Sequence, residues 1–317
     1  MLNTTQIQQL LSVATTAALR AGEYIQNVDR SLVDVKTKQA GSSDASQIVT
    51  QVDVDCEALI YQILKPTLKH FQIAFLGEES AASQAVGDHP RLVLPYFWCV
   101  DPLDGTLPFT QNMAGYAVSI ALVGQDGQPI FGVIYDPVTH TIYQGVNHSA
   151  TSFGASVVTR QQRIWTPNLQ SDSSVKQQVL TLFVDRSFRS QQGFSQAVKL
   201  LKQRACQMGY SDIKIHHKAG AVMNAVGVLE HAPACYFKLP KQALGGGSLW
   251  DFAATSALGT AAGAWVSDMF GNPLPLNQPD SVFMNRCGVL FASDTDIAEQ
   301  VLALFGELDT SFKFQCT

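Results

Sequence analysis

The sequence predicts an α+β protein, with helices and a mainly antiparallel sheet in the N-terminal half and alternating strands and helices in the C-terminal half. Apolar residues recur at helical spacing over residues 5–27 and again over 53–69. Short apolar runs follow, and two of them flank Gln125-Asp126-Gly127-Gln128. The Asp-Gly pair there favours a tight hairpin.

In the C-terminal half, predicted strands and helices alternate along the chain, which is typical of an α/β arrangement. Its predicted strands are VLTLFV, DIKIHH, ACYF, AWVSD and GVLFAS. Its predicted helices, which alternate with them, cover 191–207, 220–230, 250–262 and 295–307. The polar stretch 161–177 predicts a linker or edge segment, and therefore domains over 1–170 and 171–317. Residues 31–48, which contain Gly-Ser-Ser-Asp, predict an exposed loop.

Composition excludes several classes of function. The formal net charge is −5 and no basic stripe is present, so a nucleic-acid polymer is not an expected partner. No apolar run approaches the roughly 20 residues that span a bilayer, so no membrane association is expected. The N-terminus lacks the pattern of a signal peptide, and the six cysteines are scattered, which indicates a reduced, cytoplasmic compartment.

The stretch WCVDPLDGTLPFT, residues 98–110, carries the strongest chemical signal. Asp101 and Asp104 follow an apolar strand, and Pro102 biases the preceding backbone away from helical geometry. Gly105 allows the backbone to approach a ligand closely. One interpretation is an Asx-type turn that caps a short helix; the other is a cage of carboxylates that holds cations against a phosphate.

Three further acids follow the same pattern and favour the cage. Glu78 follows the apolar strand QIAFLG, Asp251 opens a helix after Gly-Gly-Gly-Ser, and Asp53 ends the apolar segment IVTQVD. Each has a simpler interpretation on its own: a loop residue, a carboxylate favoured by a helix dipole, and a helix N-cap, respectively. Gathered together, they would repel one another unless cations lay between them. Oxygen ligands without His or Cys favour Mg²⁺, and two such ions suit an in-line displacement at phosphorus.

The motifs FLGEES, WCVDPLDGT and SLWDFAA, preceded by VTQVD, resemble those of the inositol monophosphatase superfamily, which also contains adenosine bisphosphate nucleotidases and fructose bisphosphatases. The resemblance covers essentially the whole chain. It implies a layered α/β/α/β/α sandwich of the sugar-phosphatase type, a homodimer, and inhibition by lithium.

The resemblance also implies a set of metal ligands. Glu78, Asp101 and the carbonyl of Leu103 would hold a first Mg²⁺, and Asp101, Asp104 and Asp251 would hold a second. Glu78 would also act in catalysis, through a third and weaker ion that it reaches by way of water.

Further residues are assigned to the reaction and the substrate in the same way. Thr106 and Asp53 would orient and deprotonate the attacking water, and the N–H groups of Gly105 and Thr106 would bind the phosphate. Gly220 and Ala221 would line the substrate with backbone atoms only.

The chain departs from its relatives at positions that affect the substrate. Leu107-Pro108-Phe109 follows Thr106 where inositol phosphatases carry Asn-Phe and bacterial bisphosphate nucleotidases carry Lys-Glu-Phe. Phe237 and Lys238 lie near the position at which the inositol phosphatases carry a substrate-binding glutamate. Lys238 is either a ligand for a second phosphate or a solvated loop lysine. His216 and His217 have no partners at metal-ligand spacing and are given no role.

These observations predict a Mg²⁺-dependent phosphomonoesterase that acts on a small phosphorylated metabolite, with water as the nucleophile. An inositol-monophosphate-type substrate is the first choice, and a 3′(2′),5′-bisphosphate nucleotide such as adenosine bisphosphate is the alternative. The hypothesis from another class is a relative that binds metal or a phosphometabolite without catalysis.

Overall fold

The computed structural model describes residues 2–30, 35–37, 48–81, 85–147, 156–169, 178–191 and 193–308. These residues form helices α1 (Thr4–Asn27), α2 (Gln51–Phe71), α3 (Thr106–Thr110), α4 (Phe194–Gln207), α5 (Ala221–Glu230), α6 (Leu249–Ala262) and α7 (Thr295–Glu307). The strands are β1 (Val35–Thr37), β2 (Ile48–Thr50), β3 (Ile73–Gly77), β4 (Tyr96–Asp104), β5 (Ala117–Gly124), β6 (Pro129–Asp136), β7 (Thr141–Val146), β8 (Val157–Arg160), β9 (Arg163–Ile164), β10 (Val179–Phe183), β11 (Asp212–His216), β12 (Ala234–Lys238), β13 (Trp265–Ser267) and β14 (Val289–Ala292). None of the described helices is long and apolar enough to cross a membrane.

A seven-stranded sheet runs in the order β3-β4-β5-β6-β7-β8-β9 and is antiparallel except for the parallel pair β3 and β4. Alternate residues of β4 point to opposite faces, as strand geometry requires. Trp98 and Val100 pack with helices α1 and α2, whereas Phe97 and Cys99 pack with α6. The sheet is therefore covered on both sides, which explains why β4, β5 and β6 read as continuous apolar runs.

A five-stranded sheet has the order β11-β10-β12-β14-β13, in which β10 pairs in parallel with both β11 and β12. Helices α5 and α6 pack between the two sheets, and α4 and α7 pack on the outer face of the smaller one. The result is the predicted α+β fold with five layers in the order α/β/α/β/α.

Close approach of α6 to the larger sheet depends on two glycines. Gly132 of β6 and Gly145 of β7 are paired across the two strands. A Cβ atom at Gly132 would lie 2.3 Å from the Ala254 carbonyl oxygen, and one at Gly145 would lie 2.5 Å from the Leu258 Cα. The helix that carries Asp251 therefore lies directly on the strands, which fixes where that carboxylate sits.

The predicted helices and strands are confirmed, including the hairpin at Asp126-Gly127, where the Gly124 N–H donates to the Gln128 carbonyl at 2.9 Å. The expectation of a loop over 31–48 was wrong in part, because β1 lies in that segment and pairs with β2, which begins at Ile48. Residues 31–34 and 38–47 lie outside the described part of the chain. In the stretch 161–177, Arg163–Ile164 forms the edge strand β9, and residues 170–177 lie outside the described part.

Candidate metal centre and active site

Strand β4 ends at the acidic motif with a local irregularity. Asp101 pairs with Ser119 but Asp104 pairs with Ala117, so β4 has one residue more than β5 at this point, as in a β-bulge. The Leu103 N–H donates to Asp101 Oδ1 at 3.0 Å, which is an Asx-type turn. This turn does not cap helix α3, whose N-cap is Gly105. An Asx-type turn is therefore present at Asp101, but it is not the helix cap of the first interpretation.

Three carboxylates meet at this point. One oxygen each of Asp101, Asp104 and Asp251 lies within 4.8 Å of the others. Asp251 is the third residue of α6, where its Oδ2 accepts a hydrogen bond of 3.0 Å from the Ser248 N–H in a capping box. The structure thus brings one distant acid, Asp251, next to the two aspartates of DPLDGT.

Like charges and burial make the cluster costly in its ionised form. Removal from water raises the pKa of Asp104 well above its usual range, and the negative charge of Asp251 adds to the rise. The pKa of Asp251 is raised to about 6, mainly by desolvation. The positive charge of Lys238 lowers this pKa, and the negative charge of Glu78 raises it. A bound cation would relieve this repulsion.

Helix α5 points its first N–H groups at Asp104. Ala221 N donates to Oδ1 at 3.1 Å and Val222 N donates to Oδ2 at 2.9 Å. A Cβ at Gly220 would lie 2.3 Å from Oδ2, so only glycine permits this approach. The sequence analysis assigned Gly220 and Ala221 to the substrate and missed their contact with Asp104. The small residues at the start of the predicted helix were the available signal.

Asp53 and Thr106 form a hydrogen-bonded pair beside the cluster. Asp53 is not the N-cap of α2 but its third residue, because Thr50 is the N-cap and donates to Asp53 Oδ2 from both N–H and hydroxyl. Thr106 Oγ1 lies 2.9 Å from Asp53 Oδ1 and 3.3 Å from the Leu103 carbonyl oxygen. Burial raises the pKa of Asp53, and the charge of Glu78 adds to that rise.

Glu78 follows β3 and is half-buried. Its N–H donates to the Val100 carbonyl at 3.1 Å, which ties it to β4 one residue before Asp101. Its negative charge raises the pKa of Asp53, Asp104 and Asp251, so it lies within electrostatic reach of these three carboxylates. It is outside the group of three that comes within 4.8 Å.

Glu57 supports the Glu78 loop, and the sequence analysis did not identify it. Its carboxylate accepts hydrogen bonds from Glu79 N at 2.7 Å and Ser80 N at 2.9 Å. A Cβ at Gly77 would lie 2.4 Å from Glu57 Oε2, so a side chain there would displace the Glu57 carboxylate from this position. Glu57 lies four residues after Asp53 on the same face of α2, a spacing that could have indicated it.

Gly105 has a backbone conformation that favours glycine, with φ of +84°. A Cβ here would lie 2.8 Å from the Gly115 carbonyl oxygen, so the surrounding chain also excludes a side chain. The Gly115 carbonyl accepts a hydrogen bond of 2.7 Å from Gly220 N. Gly105 and Gly220 thereby lie next to each other, since a Cβ at Gly220 would lie 2.8 Å from the Gly105 Cα.

Lys238 is not the solvated loop lysine of the alternative interpretation. It ends β12, is only 8% exposed, and forms an ion pair with Asp185. Its Nζ lies 5.5 Å from the centroid of the Phe252 ring. The neighbouring Phe237 is fully buried in the outer core and does not reach the site.

Asp185 is the centre of a buried polar network that the sequence analysis missed. Its Oδ1 accepts hydrogen bonds from Asn224 Nδ2 at 3.0 Å and from the Tyr236 hydroxyl at 2.9 Å. Its negative charge also raises the pKa of Asp104, so the network adjoins the cluster. These residues come from the loop after β10, from α5 and from β12, and no local pattern links them.

The residues present fit a hard divalent cation. The converging ligand atoms are carboxylate oxygens, with no His or Cys in the group found among the described residues. Such oxygen ligands suit Mg²⁺ better than zinc or copper. Burial and like charge raise the pKa values of Asp104 and Asp251, and a bound cation would act on both groups in the opposite direction.

A family model described as the inositol monophosphatase family matches residues 6–309. The chain belongs to this family. Inositol monophosphatase 1 of Solanum lycopersicum is 37% identical over 143 residues, which cover 44% of this chain and 48% of the plant protein. The alignments with this protein and similar curated relatives span about half of the relatives' length. The Nus factor SuhB of Vibrio cholerae is 27% identical, over 83% of this chain and 86% of that protein.

Solved structures agree on the fold. The inositol monophosphatase of Thermotoga maritima superimposes with a TM-score of 0.67 at 17% identity, and the match covers 96% of this chain and 99% of that one. At this identity the likeness shows the fold alone. Membership of a family of phosphatases, together with the carboxylate cluster, supports the interpretation of DPLDGT as a cage.

The raised pKa values predict how the metal-free protein responds to pH. The folded-state pKa of Asp251 is about 6, above its usual 3.8, so the stability that this group contributes is present below about pH 4 and is lost as the pH rises through 6. We expect Asp251→Asn to raise the free energy of unfolding of metal-free protein at pH 7.5 by about 1–3 kcal/mol, and by much less at pH 4.5.

Denaturant unfolding in EDTA at both pH values measures this difference. Asp88→Asn, at an exposed position, is the matched control and should change stability equally at the two pH values. An Asp251→Asn variant that is destabilised at pH 7.5 would show that the carboxylate is not under electrostatic strain.

Proposed function

We propose that the protein is a Mg²⁺-dependent phosphomonoesterase in which water attacks a small phosphorylated metabolite directly. The observation that carries the proposal is the meeting of Asp101, Asp104 and Asp251 within 4.8 Å. The hydrogen-bonded pair of Thr106 and Asp53 lies directly beside them, since Thr106 also contacts the Leu103 carbonyl between the two aspartates.

The proposed ligands divide between two ions. Glu78, Asp101 and the Leu103 carbonyl would hold the first, and Asp101, Asp104 and Asp251 would hold the second. Glu78 would reach a third, weaker ion through water. When bound, Mg²⁺ neutralises the charge of the phosphate and of the oxygen that leaves. Backbone N–H groups of Gly105 and Thr106 seat the phosphate.

Thr106 and Asp53 prepare the attacking water. The Thr106 hydroxyl donates its hydrogen to Asp53 Oδ1, which leaves its oxygen free to accept a hydrogen bond from water. A proton released from the water passes through this hydroxyl to the Asp53 carboxylate. The raised pKa of Asp53 makes it a better base than an exposed aspartate. No phosphoenzyme is required.

For the substrate, an inositol-monophosphate-type ester is the first candidate, supported by family membership and by the names of several relatives. A 3′(2′),5′-bisphosphate nucleotide such as adenosine bisphosphate is the second candidate. It is supported by Lys238, a cation within electrostatic reach of Asp251 at one side of the cluster. Binding without catalysis is the remaining hypothesis, and the presence of both Asp53 and Thr106 argues against it.

The proposal extends to the protein's setting. A homodimer, inhibition by lithium and a cytoplasmic location follow from the resemblance and the composition. No nucleic-acid polymer and no membrane are proposed as partners. Size-exclusion chromatography with light scattering, and assays in lithium chloride, test the first two.

Phosphate release tests the activity. The purified protein is incubated with inositol 1-phosphate, adenosine 3′,5′-bisphosphate or p-nitrophenyl phosphate, with Mg²⁺ or with EDTA. We expect inorganic phosphate from at least one substrate with Mg²⁺ and none with EDTA. Release in EDTA would contradict the metal requirement. Calorimetric binding without release from any substrate would support the non-catalytic alternative.

Thr106→Val tests the role of the hydroxyl. Because Val cannot relay a proton to Asp53, kcat should fall by about 10²–10⁴-fold while KM changes little. Thr110→Val removes a hydroxyl from the same short helix, where it donates to the Leu107 carbonyl at 2.9 Å, and should retain wild-type kcat. Equal activity of the two variants would show that Thr106 does not act on the water.

A further inference from the structure

The ion pair of Lys238 and Asp185 has no role in the catalytic steps above, although it lies beside the carboxylate cluster. Both side chains are nearly excluded from water, with 11% of the Lys238 side chain and 12% of the Asp185 side chain exposed. An ion pair in such a place costs desolvation energy that its own attraction does not always offset. Stabilisation of the fold is therefore a weak explanation for the pair, and its position beside the cluster calls for another.

The Asp185 end of the pair lies near Asp104, because the first turn of helix α5 binds both acids. The N–H groups of Ala221 and Val222 donate to the two oxygens of Asp104. From the same turn, Asn224 Nδ2 donates to Asp185 Oδ1 at 3.0 Å. The negative charge of Asp185 raises the pKa of Asp104, so the two carboxylates lie within electrostatic reach of each other.

The Lys238 end of the pair lies near Asp251. Its Nζ is 5.5 Å from the centroid of the Phe252 ring, and Phe252 follows Asp251 on α6. A Cβ at Gly247 would lie 2.4 Å from that ring and 3.0 Å from Asp251 Oδ2, so the ring and the carboxylate border the same glycine. After burial, the charge of Lys238 has the largest effect on the pKa of Asp251, which it lowers.

The surrounding network holds the pair in this position. Asp185 Oδ1 accepts the hydrogen bonds of Asn224 and of the Tyr236 hydroxyl, and Oδ2 pairs with Lys238 Nζ. Tyr236 and Lys238 are two residues apart on β12, so their side chains share one face of the strand. Asn224 and Tyr236 are both completely buried. Because Asp185 is bound at both oxygens, the charge of Lys238 is a fixed feature of the site.

A fixed cation near Asp251 acts against a metal ion at the same carboxylate. Two positive charges beside one anion repel each other, and the repulsion is stronger where water is excluded than it is at the surface. Asp185 acts in the opposite sense, because its negative charge lies near Asp104 and attracts a cation there. The two members of the pair therefore have opposite expected effects on metal affinity: Lys238 lowers it and Asp185 raises it.

We propose that the Lys238–Asp185 ion pair sets the affinity of the second Mg²⁺, the ion assigned to Asp101, Asp104 and Asp251. This inference rests on the proposed metal sites, and it applies to either candidate substrate. Neither member of the pair is a ligand of the ion, so both act through their charges alone. The Mg²⁺ concentration that half-saturates the second site then depends on two residues that do not bind the metal.

Titration of the full chain with Mn²⁺ alone, followed by the electron paramagnetic resonance signal of the free ion, tests the pair. Lys238→Met removes the charge and keeps an unbranched side chain, so the dissociation constant of the more weakly bound ion should fall about tenfold or more. Asp185→Asn should raise that constant by a similar factor. Lys202 and Asp212 form an exposed ion pair and provide the matched control. Lys202→Met and Asp212→Asn should change Mn²⁺ binding by less than about twofold.

The opposite signs distinguish this role from a structural one, since a pair that only stabilised the fold would weaken metal binding when either member was removed. Lys238→Arg keeps the charge and should bind Mn²⁺ as the wild type does, which gives a comparison for Lys238→Met even if Asp185→Asn does not fold. Adding Asp251→Asn to Lys238→Met should abolish the tightening, which assigns it to the second ion.

Metal binding also separates failure of this inference from failure of the proposed function, because the titration needs no substrate and no turnover. Unchanged or weaker Mn²⁺ binding by Lys238→Met, or tighter binding by Asp185→Asn, would overturn the inference while the proposed metal sites stand. A wild-type protein that binds no Mn²⁺ would overturn the proposed metal sites and this inference together.

Discussion

Repulsion among buried carboxylates is the constraint on which the rest of the site depends. Asp101 and Asp104 are buried and Asp251 is brought to within 4.8 Å of them, an arrangement that burial and like charge both oppose. The fold holds it by fixing each acid with backbone N–H groups. Asp53 and Asp251 occupy the same position in two capping boxes, and Asp104 accepts the first N–H groups of α5.

The layered architecture brings these anchors together. Strand β4 supplies one pair of acids from the larger sheet, and α6, pressed onto the glycines of β6 and β7, supplies Asp251 from the central helical layer. Helix α5 in that same layer reaches Asp104. The acidic centre therefore sits where the larger sheet meets the layer of helices between the sheets.

The helices, the strands and the acids at strand ends could be predicted because each leaves a local trace in the sequence. Helical spacing marks α1 and α2, and apolar runs before Glu78 and Asp101 mark their strands. Contacts between distant segments leave no such trace: Ala221 meets Asp104 across 117 residues, and Lys238 meets Asp185 across two strands. The three-residue strands β1 and β2 were missed because so short a pair has no periodicity.

Anomalous scattering from Mn²⁺, a substitute for Mg²⁺, tests the central claim most directly. Crystals grown with Mn²⁺ and phosphate should show anomalous peaks between Asp101, Asp104 and Asp251 and between Glu78 and Asp101, and the Asp104→Asn protein should lose the first of these. Crystals that diffract well and show no manganese among these carboxylates would contradict the account.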